Sequence, residues 1–201
     1  MGYCDFANIN KNYKEYHDKE WGVPLFDDKL LFEALSLECL QCGLSFLTIL
    51  LKRDIFRKSF CNFDFEKVAK LKEKDIEKIL NTEGMIKLPR KIEAIINNAK
   101  CFKEIVKEEG SFSMYLWSYS NNKIINYIGH EKGKIPVSNA LSKKIANDLK
   151  KRGFKFVGAV TIYSFLQAVG MINDHSKDCS CYDKINKKYE VVRKKAEGEV
   201  F

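Results

Sequence analysis

Proline and histidine are both scarce in this chain, three of each in 201 residues. The prolines stand far apart, at positions 24, 89 and 136, which excludes polyproline segments and Pro-rich linkers. No fixed-period repeat or low-complexity stretch divides the sequence. Long apolar runs are missing too: Leu44 to Leu51 and Val157 to Gly170 are too short, or too interrupted by Ser, Thr and Gln, to span a bilayer. No strand alternation of useful length occurs, so no sheet is expected. The start, Met1-Gly2-Tyr3-Cys4-Asp5, lacks the basic region and apolar stretch of a secretory leader. Together with an odd number of cysteines, seven, this gives the expectation of a reducing cytoplasm with free or metal-bound thiols rather than disulfides.

What is present is helical spacing almost throughout. Asp27 can cap a helix to about Gly43, Ser45 the next to about Phe60, and Asp64 a shorter one through Leu71. Another covers about Lys74 to Asn81. Pro89 suits the first turn of a long helix through Glu108, ended by Gly110, and Phe112 to Tyr119 reads as a short aromatic helix. Pro136-Val137-Ser138 opens a helix with Leu141, Ile145 and Leu149 on one stripe, closed by Gly153, and a buried helix then runs to about Gly170. The expected fold is all-α, with residues 1–182 as one helical unit of two packed lobes, and 183–201 as a charged tail, a loosely held helix or disorder.

Cys4 and His17 lie near one end, His175 and Cys179 near the other, about 160 residues apart. Together they make a Cys2His2 set of the kind that closes tetrahedrally around a structural zinc ion, which would clip the ends together. The alternative is buried thiols as small apolar groups beside satisfied histidines. Cys39-Leu40-Gln41-Cys42 is a C-x-x-C without a second pair or a redox setting and is read as accidental. His130, in Gly129-His130-Glu131-Lys132-Gly133, is expected in an exposed loop without a role.

Glu38 shares a helical stripe with Leu31, Ala34, Leu35 and Cys42. A carboxylate among apolar neighbours is paired, protonated, or completed by a ligand. Tyr13, Tyr16, Trp21 and Phe46 are close in sequence and can sandwich a flat base, preferably an electron-poor or cationic one. In Gln41-Cys42-Gly43-Leu44-Ser45, Gly43 permits a tight turn whose tip, Leu44, is either core or an apolar wedge for a base stack.

The formal net charge is +8, which fits a polyanionic partner or a solvated lysine-rich surface. Gly153-Phe154-Lys155-Phe156-Val157-Gly158 joins a basic helix to an apolar one, as in a helix-hairpin-helix whose second helix offers N–H groups to a phosphate. Lys143, Lys144, Lys150, Lys151, Arg152 and Lys155 would add charge. An ordinary helical hairpin with a solvated face is the alternative.

The blocks Tyr16-His17-Asp18-Lys19-Glu20-Trp21-Gly22-Val23-Pro24, Leu37-Glu38, Gly43-Leu44-Ser45, residues 153–158, and Asn173-Asp174-His175 with Cys179 occur in one order from Cys4 to about Cys181. In this the chain resembles the 3-methyladenine DNA glycosylase I family. The resemblance implies a helix-hairpin-helix glycosylase fold and excision of N3-methyladenine from alkylated DNA. Lys155, among six nearby basic positions, reads as a phosphate contact rather than a Schiff-base lysine, so a monofunctional enzyme acting on double-stranded DNA is expected. It also implies one structural Zn2+ on Cys4, His17, His175 and Cys179, and base recognition by Glu38 with Tyr16. One departure is Phe46, where many members carry tryptophan. DNA contact is expected at Gly43, Leu44, Gly153, Lys155, Val157 and Gly158. Asp174 stands where many helix-hairpin-helix glycosylases place an aspartate after the second helix, but beside His175 it is expected instead to orient that metal ligand. The remaining expectations are a monomer with no membrane association. The competing function is a non-enzymatic DNA damage binder on the same hairpin, with Glu38 merely a buried polar group.

Overall fold

A computed structural model describes residues 4–201. Eleven α-helices occur among these residues, with a small sheet against one side. After a single 3-10 turn at Asp5–Asn8, α1 (Lys11–Lys19) is capped by the Asn10 side chain. Helix α2 (Asp28–Gln41) starts where expected, the Asp27 carboxylate accepting from Leu30 N. The helix expected from Ser45 to Phe60 is two: α3 (Phe46–Leu51), capped by Ser45, and α4 (Arg53–Ser59), broken at Lys52 where φ is −101° and ψ 2°. Short α5 (Phe65–Val68) and α6 (Glu73–Asn81) follow. Helix α7 (Pro89–Glu109) has its proline in the first turn and Gly110 at its end, and α8 is Phe112–Ser118. Helix α9 (Ala140–Lys151) is capped by Asn139 rather than opened by Pro136, and α10 (Ala159–Ala168) pairs with it across the 152–158 turn.

Helix α2 is the centre of the molecule, packed against α3, α7, α8 and α10. Leu31, Phe32, Leu35 and Leu40 are fully sheltered there, with Phe32 meeting Phe102 of α7 edge-on at 5.3 Å. The burial of such side chains, about 1.5–3 kcal/mol each, holds in place a short helix that would be marginal alone even with its strong helix formers.

The all-α expectation needs correction. β1 (Ile124–Tyr127) and β2 (Val191–Lys194) form a parallel two-stranded ladder, Ile124 opposite Val191 and Tyr127 opposite Lys194. Four buried residues are too few to show alternation, so the strand left no signal. The tail is correspondingly ordered: α11 (Ser180–Lys188) leads into β2, and the chain continues to an antiparallel bridge between Val200 and Ser138. Glu197 O also accepts from Ala140 N at the start of α9. Its charged residues left no apolar stripe to read because this segment is held mainly by backbone hydrogen bonds. Among the described residues no helix is long and apolar enough to cross a membrane.

Candidate active site

Glu38 sits on α2 one turn before the helix ends and is 6% exposed. Among the described residues nothing donates a hydrogen bond to its carboxylate and no cation pairs with it. Burial alone pushes its carboxyl up to about 8, a shift that favours the protonated form. The side chain opens into a cavity of roughly 400 Å³, and a smaller one of roughly 190 Å³ adjoins it on the far side of Tyr16, Glu38 and Phe46.

The four aromatic residues named from sequence all line the larger cavity, and so does Phe6, which the sequence did not single out. The Tyr13 hydroxyl accepts from Leu47 N in the first turn of α3, which fixes the ring and satisfies one orphan helix donor. Burial and then the nearby Glu38 carboxylate raise the Tyr16 phenol well above its ordinary value. Tyr16 and Phe46 touch, centroids 5.0 Å apart and planes tilted by 56°. A flat base between two parallel faces needs about 7 Å, twice the contact distance of about 3.5 Å. These two rings therefore form a continuous wall. Trp21 meets Phe6 edge-on at 4.9 Å and His175 edge-on at 4.6 Å, so the cavity wall is backed by the histidines.

The N-terminal segment and residues 175–179 meet directly behind that wall. Cys4, His17, His175 and Cys179 are all buried, and their ligand atoms lie within 4.8 Å of one another. His17 Nε2 is 3.2 Å from His175 Nδ1 and 3.4 Å from Cys179 Sγ, while Cys4 Sγ is 3.5 Å from His175 Nδ1. The outer nitrogens are committed: His17 Nδ1 is 2.9 Å from Asp18 Oδ1, and His175 Nε2 is 3.2 Å from the Trp21 carbonyl. Gly22 makes this approach possible, at φ +77° with His175 Nε2 only 2.7 Å from where a Cβ would stand. Burial pushes the Cys4 thiol up to about 11 and, with the neighbouring His17, the His175 imidazole down to about 4. This is a donor set able to hold a soft divalent cation.

Two expectations fail here. Asp174 does not orient His175. Its carboxylate accepts from Tyr163 OH at 2.6 Å and Gln167 Nε2 at 2.8 Å, and faces His130 Nδ1 at 2.7 Å. His130 is buried rather than exposed, because the ordered tail brings Glu199 Oε1 within 2.6 Å of its Nε2. Burial works against the imidazolium, yet the hydrogen bonds and charges of Asp174 and Glu199 outweigh it and raise the His130 pKa. Asp174, Ser164 and Gln167 all line the base-sized cavity. The available signal was polar residues at every third position of an otherwise apolar helix, Thr161, Ser164 and Gln167.

The expected DNA-contact residues lie on two turns. Cys42 (φ −43°, ψ 112°) and Gly43 (φ +79°) form a tight turn closed by Leu44 N to Gln41 O, of the kind that needs glycine at its third position. Leu44 at its tip is 36% exposed. In the second turn Lys155 is exposed and Val157 is buried, so Val157 can offer only its backbone. The N–H groups of Phe156, Val157 and Gly158 have no acceptor among the described residues and lead into the open first turn of α10. Phe156 has φ +57°, an unusual conformation for a bulky residue. Not all the expected charge is available, since Arg152 pairs with Glu108 and Asp148 and Lys143 donates to the Gly198 carbonyl.

Residues 6–182 match the methyladenine glycosylase family model. Two curated relatives are similar over most of their length: the DNA-3-methyladenine glycosylase of Haemophilus influenzae is 40% identical, over 89% of this chain and 96% of its own. DNA-3-methyladenine glycosylase 1 of Escherichia coli is 41% identical, over 90% and 97%. Among solved structures, a 3-methyladenine DNA glycosylase I superposes with a TM-score of 0.85 at 41% identity, over 90% of this chain and 99% of its own. Another, from Staphylococcus aureus and studied for its recognition of 3-methyladenine, gives 0.84 at 40%, over 90% and 96%. Sequence, fold and a lone carboxyl in an aromatic cavity thus agree, and the chain belongs to the methyladenine glycosylase family.

Proposed function

We infer that the protein is a DNA-3-methyladenine glycosylase, an enzyme that removes N3-methyladenine from alkylated double-stranded DNA, and that its compartment is that of the genome. The observation that carries this reading is the Glu38 carboxyl, buried in the wall of the aromatic cavity and without a partner among the described residues. A protonated carboxyl offers one donor and one acceptor, which matches N7 and the amino group on the edge of adenine. Guanine shows two acceptors at the same edge, so the same group disfavours it. Tyr13, Tyr16, Trp21 and Phe46 supply aromatic faces for the cationic ring.

Methylation at N3 gives the base a positive charge and makes it a good leaving group. Water adds its oxygen to the sugar C1′, the bond from C1′ to N9 breaks with its electron pair going to the ring, and the water's extra proton passes to solvent. Neutral 3-methyladenine and an abasic site result. As the ring gains electrons, N7 becomes more basic and the hydrogen bond from Glu38 strengthens. That interaction is therefore stronger in the transition state than in the bound substrate, which is what accelerates the step. The lesion reaches the cavity by flipping out of the stack, with Leu44 filling the gap. The helix-hairpin-helix reading of α9 and α10 is supported by the open N–H groups of residues 156–158 and by exposed Lys155, which suit a phosphate.

One structural Zn2+ is proposed on Cys4, His17, His175 and Cys179. Zinc bond lengths of about 2.0–2.3 Å imply tetrahedral edges of about 3.3 Å between nitrogens and about 3.5 Å between nitrogen and sulfur. The 3.2, 3.4 and 3.5 Å separations here support it. So do the two committed outer nitrogens, which leave His17 Nε2 and His175 Nδ1 facing one another as lone pairs. With four protein donors the ion has no open position for chemistry and would only brace the wall behind Trp21. The expected result is about one zinc per chain by elemental analysis, with Cys179→Ser losing both metal and several degrees of Tm. Fully stable zinc-free protein would remove the metal from the account.

Incubation with alkylated duplex DNA, followed by chromatography of the released bases, tests the function. Release of 3-methyladenine by the protein, lost in Glu38→Ala, is expected. Intact DNA despite tight, salt-sensitive binding would overturn the enzymatic reading in favour of a damage binder.

A further inference from the structure

Lys91 is an expensive residue to keep where it is. It lies in the first turn of α7, 6% exposed, and has no carboxylate partner among the described residues. Its ammonium group instead donates to two backbone carbonyls, Leu40 O and Cys42 O, each at 2.6 Å. Both belong to the end of α2 and the turn that carries Leu44. The turn's own bond, Leu44 N to Gln41 O, leaves the Leu40 carbonyl without its helical donor, so Lys91 supplies the missing partner and a positive charge at a helix C-terminus.

Seven residues further along α7, on the same face, Asn98 does the corresponding thing to the other turn. Its Nδ2 donates to Lys155 O at 2.9 Å and its Oδ1 accepts from Lys155 N at 2.8 Å, so one buried amide grips both backbone groups of a single hairpin residue. Neighbouring Asn97 donates to Gly153 O at 2.8 Å. Cys39 closes the joint from the α2 side, its Sγ lying 3.6 Å from Phe156 O. Seven residues of helix advance about 10 Å, and three base steps of DNA advance about the same.

We propose that α7 is a rigid spacer between the two DNA-contacting turns, with Lys91 as a positioning residue for the Leu44 wedge and Asn98 as a positioning residue for the hairpin. The inference rests on the DNA reading above. It explains why a lysine and an asparagine are buried on a helix that contributes nothing to the base cavity: wedge and phosphate grip must keep a fixed separation for the duplex to bend around them. An open groove lined by Arg90, Glu93, Ala94, Asn97, Lys155 and Phe156 lies beside this spacer on the hairpin side.

The test is a double-mutant cycle read by single-turnover base release from a duplex with one 3-methyladenine. Lys91→Met is expected to slow release about tenfold, while its affinity for the free base stays within about twofold of the unaltered protein, since the cavity is untouched. In a Leu44→Ala background the same change should cost less than about twofold, because the wedge it positions is gone. Full multiplication of the two effects, or normal release by Lys91→Met, would overturn the proposal. Asn98→Leu serves if Lys91→Met fails to fold: it should weaken duplex affinity severalfold with free-base affinity unchanged, and equal duplex affinity would count against the spacer. The bend itself, measured by energy transfer between dyes on the duplex ends, is independent of chemistry. Should the unaltered protein release no base, the enzymatic reading fails, and a smaller bend with Lys91→Met would still uphold the spacer.

Discussion

Helix α2 buries two glutamates on different faces, and they are treated oppositely. Glu33 is 4% exposed and fully engaged: Arg53 Nε lies 2.6 Å and Arg57 NH2 2.8 Å from its Oε1, and Arg53 reaches on to Glu20. Glu38, five residues later, is about as buried, and among the described residues its carboxylate receives nothing. A helix turns about 500° in five residues, so the two point roughly 140° apart. One face meets α4 and its arginines, and the other meets a cavity. The paired carboxylate belongs to the architecture, while the unpaired one is a site waiting for a polar partner, and its raised pKa records the cost of waiting.

The sharpest way to break this contrast is to remove each carboxylate. Glu33→Ala leaves two arginines without their buried partner, and should cost about 3 kcal/mol of stability by denaturant titration, the lower end of the usual range because Arg57 reaches solvent. Glu38→Ala should cost almost no stability and slow base release about 100-fold, as loss of a group aimed at developing charge does. An unchanged rate would mean that Glu38 is only an unpaired core carboxyl.

Glu38→Gln sharpens the comparison further. An amide keeps one donor and one acceptor at the adenine edge, so free-base affinity should survive within severalfold even as the rate changes. It also removes a titration. With the folded carboxyl at about 8 against an ordinary 4.5, the folded protein holds a proton that the unfolded chain has lost. Stability should therefore fall as pH rises from about 4.5 to about 8 and level off above, a slope absent from the Gln variant. The second-order rate of base release, which reports the ligand-free protein, should decline through the same upper limit if the proton-bearing form reads the edge. A parallel pH dependence of the two proteins would remove Glu38 as its source.

The smallest effect is expected from enlarging the aromatic wall. Phe46→Trp should tighten free-base binding by about 0.5–1 kcal/mol, through added stacking area beside Tyr16. No change would indicate that the ring's contact with Tyr16, rather than its area, sets the affinity.

Helix starts were legible wherever one local residue decides them: Asp27, Ser45 and Pro89 stand where their chemistry requires, and Gly110 ends α7. The Glu38 stripe and the terminal Cys and His pairs were also visible, because helical spacing and ligand type are local properties. His130, Asp174, Lys91 and the tail were misread or missed for a common reason. Each takes its environment from residues far away in the chain: Glu199 for His130, Tyr163 and Gln167 for Asp174, Leu40 and Cys42 for Lys91, and β1 for the tail.

The sequence by itself determined that this chain would be mainly helical, that one carboxyl would lie among apolar and aromatic neighbours, and that four soft ligands would be available at its ends. Periodicity, capping and side-chain chemistry act over a few residues and can be read in order. Only the tertiary structure decided that Glu33 would be answered by arginines and Glu38 left unanswered, that the ligand quartet would back the cavity wall, and that α7 would hold both exposed turns. Those outcomes depend on which surfaces meet, and burial and partner choice are properties of the packed molecule rather than of any segment of it.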